Sequence, residues 1–424
     1  MPYVLGIDIG CTNTAASVAR RRGATWARPE VVELDGGAAT VPSVLHLAAD
    51  GTLAVGEPAD GNGSRTARGF LRRVGDDVPL LLDGQPFPPQ KLTAALATWV
   101  VQRVLEREGE PAQAVVLSHP AGWGRHRREL LHGALRQFGL GNVTLLPRPV
   151  TVAESHAARG FPGSTAAVYA LGGNTFEAAL VRRTPRGTYE TFGVPQGLDW
   201  MGGADVDEAL AEHVRTALSR ELAALGPRET QATLRGLLPE CERAKRELTV
   251  GTETDVLLTL PTGPVRVPVS RVRLEDMIRP ALRVTVDLLT RTVHSAGLAP
   301  AQLDGVLLTG GSTRIPLVVE LLTAALAVPV EVEPDPQLTA ATGAALAACQ
   351  VVSPRRSRPA PDPGPAPGSA GRRAAAAAVP ARRGPGHDLA ARGEPPPRPP
   401  VRITPLELPK PPRLVLVRSR GREG

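Results

Sequence analysis

Short apolar stretches of strand length alternate with longer segments whose apolar residues recur at helical spacing throughout residues 1–350. The chain opens as strand, glycine-rich turn and strand over roughly residues 3–20, with Ala15 to Val18 resuming the apolar run after the turn. Turn signals at Asp35-Gly36-Gly37, Ala49-Asp50-Gly51 and Leu82-Asp83-Gly84 then punctuate a strand-rich region. From Lys91 to Glu108, Leu92, Leu96, Trp99, Val100 and Val104 form the stripe of an amphipathic helix. A strand at Ala114–Leu117, a basic helix near Arg125–Phe138, a strand at Val143–Leu146 and a helix through Ala158 follow. Near Ser164 the pattern restarts, with a second apolar strand, glycine turn and strand (Ala178 to Val181). A long helix beginning near Asp207, a helix closing at Leu248, strands at Asp255–Leu260 and Val265–Val269, a helix at Leu274–Ala296 and a strand at Gly305–Thr309 complete it. This alternation predicts an α/β fold with helices flanking mixed sheets, and the restart predicts two lobes, residues 1–163 and 164–350.

Composition sets the last 74 residues apart. Residues 351–424 hold 17 of the 43 prolines together with Ala-rich and Arg-rich runs. Such a segment buries too little apolar surface to offset its chain entropy, so a disordered basic tail is expected. It carries 15 basic against 5 acidic residues; of the overall +7, the body therefore contributes −3. The high pI thus belongs to the tail, which offers acidic partners a flexible cationic arm. No aromatic residue in it provides a stacking surface, which argues against nucleic acid. Three widely spaced cysteines, Cys11, Cys241 and Cys349, suggest neither a disulfide framework nor a metal site and fit a reducing, cytoplasmic setting. No apolar run of about 18 residues is present, so no membrane span is expected.

The chemistry concentrates in the turns. Asp8-Ile9-Gly10-Cys11-Thr12-Asn13-Thr14 and Ala170-Leu171-Gly172-Gly173-Asn174-Thr175 each run from an apolar strand into glycine and small polar residues. Tight turns of this kind present backbone N–H groups to phosphate oxygens, because glycine lets the backbone approach closely. A strand entering Gly310-Gly311-Ser312 adds a third such turn. Two matched turns plus this third one describe a duplicated fold closing on one nucleotide.

On these residues the chain resembles the nucleotide-binding domain of the heat-shock protein 70 chaperone family, which shares its fold with actin and the sugar kinases. The matching segments stand in family order: Gly6–Thr14, His119-Pro120-Ala121, Leu171–Phe176, Gly202-Gly203-Ala204-Asp205, Glu242-Arg243-Ala244-Lys245-Arg246, Gly310–Pro316 and Pro334-Asp335-Pro336. The resemblance implies a two-lobed actin-like ATPase fold that binds ATP or ADP with Mg. It implies that Gly10, Cys11, Thr12, Asn13, Gly172, Gly173 and Thr175 hold the phosphates, with Gly202 and Gly203 beside them. Asp8 would face the magnesium ion through water. Glu242, Lys245, Arg246 and Thr249 would contact the nucleoside, and Gly310, Gly311, Ser312, Arg314 and Asp335 would close the pocket from the other side. A co-chaperone or a client protein would be the macromolecular partner.

The chain departs from the family where hydrolysis is carried out. The family's lysine position reads Leu71, its water-holding glutamate Arg148, and the aspartate of its second hairpin Ala170. Lysine is absent from residues 1–90, so no shift of register restores it. Removing one group aimed at developing charge costs on the order of 10²–10³ in rate. The expectation is therefore an ATP-binding protein with weak or no hydrolysis. An active chaperone ATPase using Arg72 or Arg148 as substitute cations, and a nucleotide-independent scaffold, stand as alternatives. The tail shows no strand series like the family's peptide-gripping β-sandwich, so peptide clamping by that route is not expected.

Overall fold

Two mixed sheets of the same plan organise the computed structural model, which describes residues 1–58 and 63–353. In the first, the strand Tyr3–Ile9 pairs antiparallel with Asn13–Arg22 and parallel with Val115–His119, which pairs parallel with Val143–Pro147. In the second, Thr165–Leu171 pairs antiparallel with Phe176–Arg183 and parallel with Gly305–Thr309. Tyr189–Leu198 and Val330–Glu331 form its two edges. The duplication extends to single hydrogen bonds. Gly10 N–H donates to the Asn13 carbonyl and Gly172 N–H to the Thr175 carbonyl, both at 2.9 Å. Asp8 lies opposite Ala15 in the first hairpin, and Ala170 opposite Glu177 in the second. The expected α/β class with duplicated mixed sheets is thus borne out.

Two helices lie between the sheets, and they cross over. The helix Thr339–Val352, from the end of the described chain, packs on the strands Tyr3–Ile9, Asn13–Arg22 and Val115–His119 of the first sheet. The helix Arg148–Ala158 packs on the second sheet, and the two helices pack on each other. Small residues permit this: Ala341, Ala344, Ala345 and Ala348 are buried. A Cβ on Gly6 would stand 2.1 Å from the Ala345 amide nitrogen, and one on Gly343 1.6 Å from the Thr151 carbonyl oxygen. Helix and strand backbones meet where only hydrogen fits.

The outer faces are covered by longer helices. Of the stripe expected for residues 91–108, Leu92, Leu96, Val100 and Val104 are buried against the first sheet from the helix Pro89–Glu108 and Trp99 is partly buried beside them. Over the second sheet lie Gly203–Ala217, Leu237–Leu248, Arg271–Ser295 and Pro316–Leu326, contributing Leu210, Cys241, Leu282 and Leu322 to one apolar core. Element boundaries fall within a few residues of those read from the sequence. Among the described residues no helix is long and apolar enough to cross a membrane. The expected disordered tail at 351–424 lies, beyond Ser353, outside the described residues.

Candidate functional site

The two hairpin turns face each other at the carboxyl ends of the inner strands, where open α/β sheets place their ligands. A Cβ built on Gly173 would come within 2.4 Å of Thr12 Oγ1, so the turns touch at this point. The Thr12 hydroxyl donates to the Asn174 side-chain oxygen at 3.2 Å across the same junction. Among the described residues, the amides of Cys11, Thr12, Gly173 and Asn174 make no hydrogen bond. Between the turns lies a cleft of about 110 Å³ lined by Asp8, Gly10, Cys11, Thr12, Asn13, Arg148, Ala170, Gly172, Gly173, Thr175, Gly310 and Gly311, all singled out in the sequence. This is smaller than the roughly 300 Å³ at which small-molecule sites begin, and suits a phosphate group rather than a whole nucleotide.

Backbone geometry fixes the second turn. Gly203 N–H donates to the Gly172 carbonyl at 3.0 Å and Ala204 N–H to the Gly173 carbonyl at 2.7 Å, joining the hairpin to the start of the helix Gly203–Ala217. A Cβ on Gly202 would lie 2.6 Å from the Asn174 amide. The Ser312 hydroxyl donates to the Gly172 carbonyl at 2.8 Å, tying the third turn to the second. Gly310, at φ 92, adopts a left-handed conformation in which a side chain is strained, and its Cβ would meet the Leu171 carbonyl at 2.3 Å.

A charged cluster occupies the floor. Arg148 Nε donates to Asp8 Oδ1 at 2.9 Å and its Nη2 to the Ile9 carbonyl at 3.1 Å. The Ser118 hydroxyl donates to the same Asp8 oxygen. Opposite them, Glu177 Oε1 accepts from the Ala121 amide at 2.5 Å and the Gly122 amide at 3.3 Å. Glu177 Oε2 is buried without a partner among the described residues. Burial works against the Arg148 charge, but Asp8 and Glu177 outweigh it and hold the guanidinium more firmly protonated than usual. Burial also pushes the Glu177 carboxyl upward, with Arg148 and the two amides pulling it back. The half-buried Cys11 thiol is raised by burial and drawn down by Arg148 and Arg72.

Besides Arg148, the altered positions Leu71 and Ala170 and the neighbouring cation Arg72 have distinct surroundings. Leu71 is 2% exposed and sits in the apolar core with Phe70 and Val74. Ala170 lines the cleft with a methyl group. Arg72 is exposed, and its Nη1 donates to the Asp199 carbonyl at 3.2 Å. Magnesium, which the resemblance places beside Asp8, does not fit this set. The Asp8 oxygen is shared by a guanidinium and a hydroxyl, and the second hairpin has no carboxylate at 170. Among the described residues no three His, Cys, Asp or Glu side chains converge as metal ligands.

The nucleoside-side residues divide into smaller groups. Lys245 Nζ donates to Asp207 Oδ2 at 2.8 Å and to the Gly203 carbonyl at 3.0 Å. A Cβ on Gly203 would meet Ser312 Oγ and Lys245 Nζ, so these three residues come together. Arg246 pairs with Glu242 at 2.5 Å on an exposed face, and the Thr249 hydroxyl caps the Arg246 carbonyl at 2.6 Å. Arg314 pairs with Asp335 at 2.5 Å and also donates to the Pro334 carbonyl. None of Glu242, Lys245, Arg246, Thr249, Arg314 or Asp335 lines the small cleft.

Sequence reasoning missed Glu177, Asn174, Thr309 and Gln337 as lining residues, and Ser118 as a partner of Asp8. The signal for Glu177 was local: an acid inside an otherwise apolar strand, directly across the hairpin from Ala170.

Comparison with known proteins agrees with this architecture. The model of the family described as Hsp70 protein matches residues 72–359. The chaperone protein DnaK of Elusimicrobium minutum (strain Pei191) is 29% identical over 359 residues, covering 82% of this chain and 58% of that protein. The chain therefore spans somewhat more than half the length of this relative. With duplicated hairpins at its centre and a family match over most of its length, the chain belongs to the Hsp70 family.

Proposed function

We propose that the chain binds adenine nucleotide, ATP or ADP, between the two hairpins and hydrolyses it slowly or not at all. The observation that carries this reading is the pair of matched turns meeting at Thr12 and Gly173 with four amide donors uncommitted among the described residues. Convergent N–H groups held by fixed backbone form an anion cradle that needs no rearrangement to accept phosphate oxygens. Lys245 and Ser312, both beside Gly203, are the residues we assign to the nucleotide beyond its phosphates. The exposed guanidinium groups of Arg246 and Arg314 supply planar surfaces for a base.

Turnover demands charges aimed at the reacting phosphate and water. The leucine at position 71 is committed to the core, position 170 has no charge, and position 148 carries a cation in place of a carboxylate that could hold the attacking water. Joint losses of such groups are not additive, yet one alone costs on the order of 10²–10³. Arg72 is hydrogen-bonded to the Asp199 carbonyl and acts electrostatically on Cys11, so it stands as the alternative cation for turnover.

The biological output we infer is a nucleotide-dependent closure of lobes 1–163 and 164–350, read by a co-chaperone or client in the cytoplasm. Three unpaired cysteines are consistent with that compartment. A thermal melt with ATP and ADP tests the binding. A ligand held only by the folded chain at about 100 times its Kd adds about 2.7 kcal/mol of stability. An unchanged melting temperature at millimolar nucleotide contradicts the proposal.

A further inference from the structure

Arg148 packs against Asp8, the residue that the family resemblance sets beside a divalent cation. Its guanidinium touches the strand end at two points, Asp8 Oδ1 at 2.9 Å and the Ile9 carbonyl at 3.1 Å, and faces Glu177 on the other hairpin. The two side chains of the Asp8 pair are 15% and 14% exposed, so the contact is sheltered rather than a surface ion pair. A guanidinium has five N–H donors in a rigid plane. Nε and one Nη2 hydrogen are engaged by the protein, which leaves the other donors for oxygens in the cleft. Arginine matches phosphate geometry well and stays charged at any working pH.

One oxygen of each acidic group that a metal would need is engaged by the protein. Asp8 Oδ1 carries both Arg148 and Ser118. Glu177 Oε1 carries two amides, and burial favours its protonated form. Ala170, the position in the second hairpin equivalent to Asp8 in the first, contributes a methyl group. A hydrated divalent ion placed here would stand within a few ångströms of a fixed positive charge that cannot move away without breaking two hydrogen bonds.

We propose that Arg148 replaces the divalent cation in this cleft, so that the chain binds the polyphosphate of an adenine nucleotide without requiring magnesium. The proposal rests on the nucleotide-binding reading above and gives it a cation requirement. Magnesium still coordinates the free nucleotide in solution, but the protein gains no ligand-bridging contact from it.

The test is calorimetric titration of the full chain with ADP and with ATP, once in excess EDTA and once in excess magnesium. The expected result is an affinity in EDTA at least as high as that in magnesium. An Arg148→Gln variant keeps a planar hydrogen-bonding group without the charge, and should bind at least tenfold more weakly in EDTA. Manganese titrated into the nucleotide complex of the unaltered chain, followed by electron paramagnetic resonance, provides a readout independent of any variant. It should show only the nucleotide-bound manganese of free solution. Binding at least tenfold tighter with magnesium, or a protein-held manganese signal, overturns the cation replacement while leaving nucleotide binding intact. No heat in either condition overturns both.

Discussion

Replacing Arg148 by methionine tests how much of the site's integrity depends on its charge. At 2.9 Å and an effective dielectric of about 20, the attraction between Arg148 and Asp8 is about 6 kcal/mol before desolvation. Desolvation of two sheltered ions cancels a large part of that, but removal of one partner alone leaves the other uncompensated and typically costs about 3–5 kcal/mol. Arg148→Met leaves both Asp8 and Glu177 without their nearest cation, so a loss of about 3 kcal/mol is expected. For about 350 residues at about 2.1 cal/mol/K each, this lowers the melting temperature by about 4 °C. The loss also depends on pH. Arg148 pulls the Glu177 carboxyl down, so without it the folded-state carboxyl rises further above its unfolded value. The folded state then binds a proton more readily than the unfolded one, and stability falls as pH rises. Differential scanning calorimetry at pH 5.5 and 8 should find the larger deficit at pH 8. The Asp8→Asn/Arg148→Met double variant should recover part of it, since no unpaired Asp8 charge remains. A single variant melting within 1 °C of the parent at both pH values refutes the view that Arg148 is the cleft's compensating cation.

Three further outcomes follow from the packing. Leu71→Lys, which restores the residue type found in the family, places an ammonium in an apolar core where Leu71 is 2% exposed; it should lower the denaturation midpoint by several kcal/mol's worth of stability and add no phosphate release, and a gain in turnover contradicts the core placement. Gly343→Ala should cost about 3 kcal/mol by forcing apart the helices at Thr151, whereas Gly133→Ala, in open space on the helix Arg125–Gln137, should be neutral or stabilise by about 0.5–1 kcal/mol; equal effects in urea unfolding would remove the close-contact argument. His119 is buried, stacked on Trp123 at 5.7 Å, and burial pushes its pKa down to about 4. Its contribution is present above about pH 6.5 and is lost as pH falls toward 4, on the order of 3 kcal/mol in all, so His119→Asn should flatten the acid limb of the stability profile.

Local features were legible in the sequence and distant partnerships were not. Each hairpin is contiguous, so its glycines and its register follow from a dozen neighbouring residues, as the seven cross-strand pairs in each confirm. The stripe in residues 91–108 was equally readable, because a helix buries one face whatever it packs against. Arg148 and Asp8 are 140 residues apart; the resemblance assigns both to the phosphate end of the site, but their direct ion pair is visible only in the fold. Glu177 escaped notice because an acid was sought at position 170, along the same strand, rather than across the hairpin. Lys245 reads as part of a solvated face from its Arg and Glu neighbours, yet it turns inward to Asp207 and Gly203. The crossover of the two inner helices was hidden for a similar reason. Alanines and Gly343 within 340–345 show that something approaches closely, and only the fold shows that it is the first sheet together with Thr151.

Single-turnover hydrolysis by the purified full chain, with limiting labelled ATP and protein well above Kd, tests the central claim most directly. The account predicts that ATP enters the complex and is recovered intact over a period in which an ordinary chaperone ATPase of this family completes its turnover. Release of phosphate at that ordinary rate would contradict it.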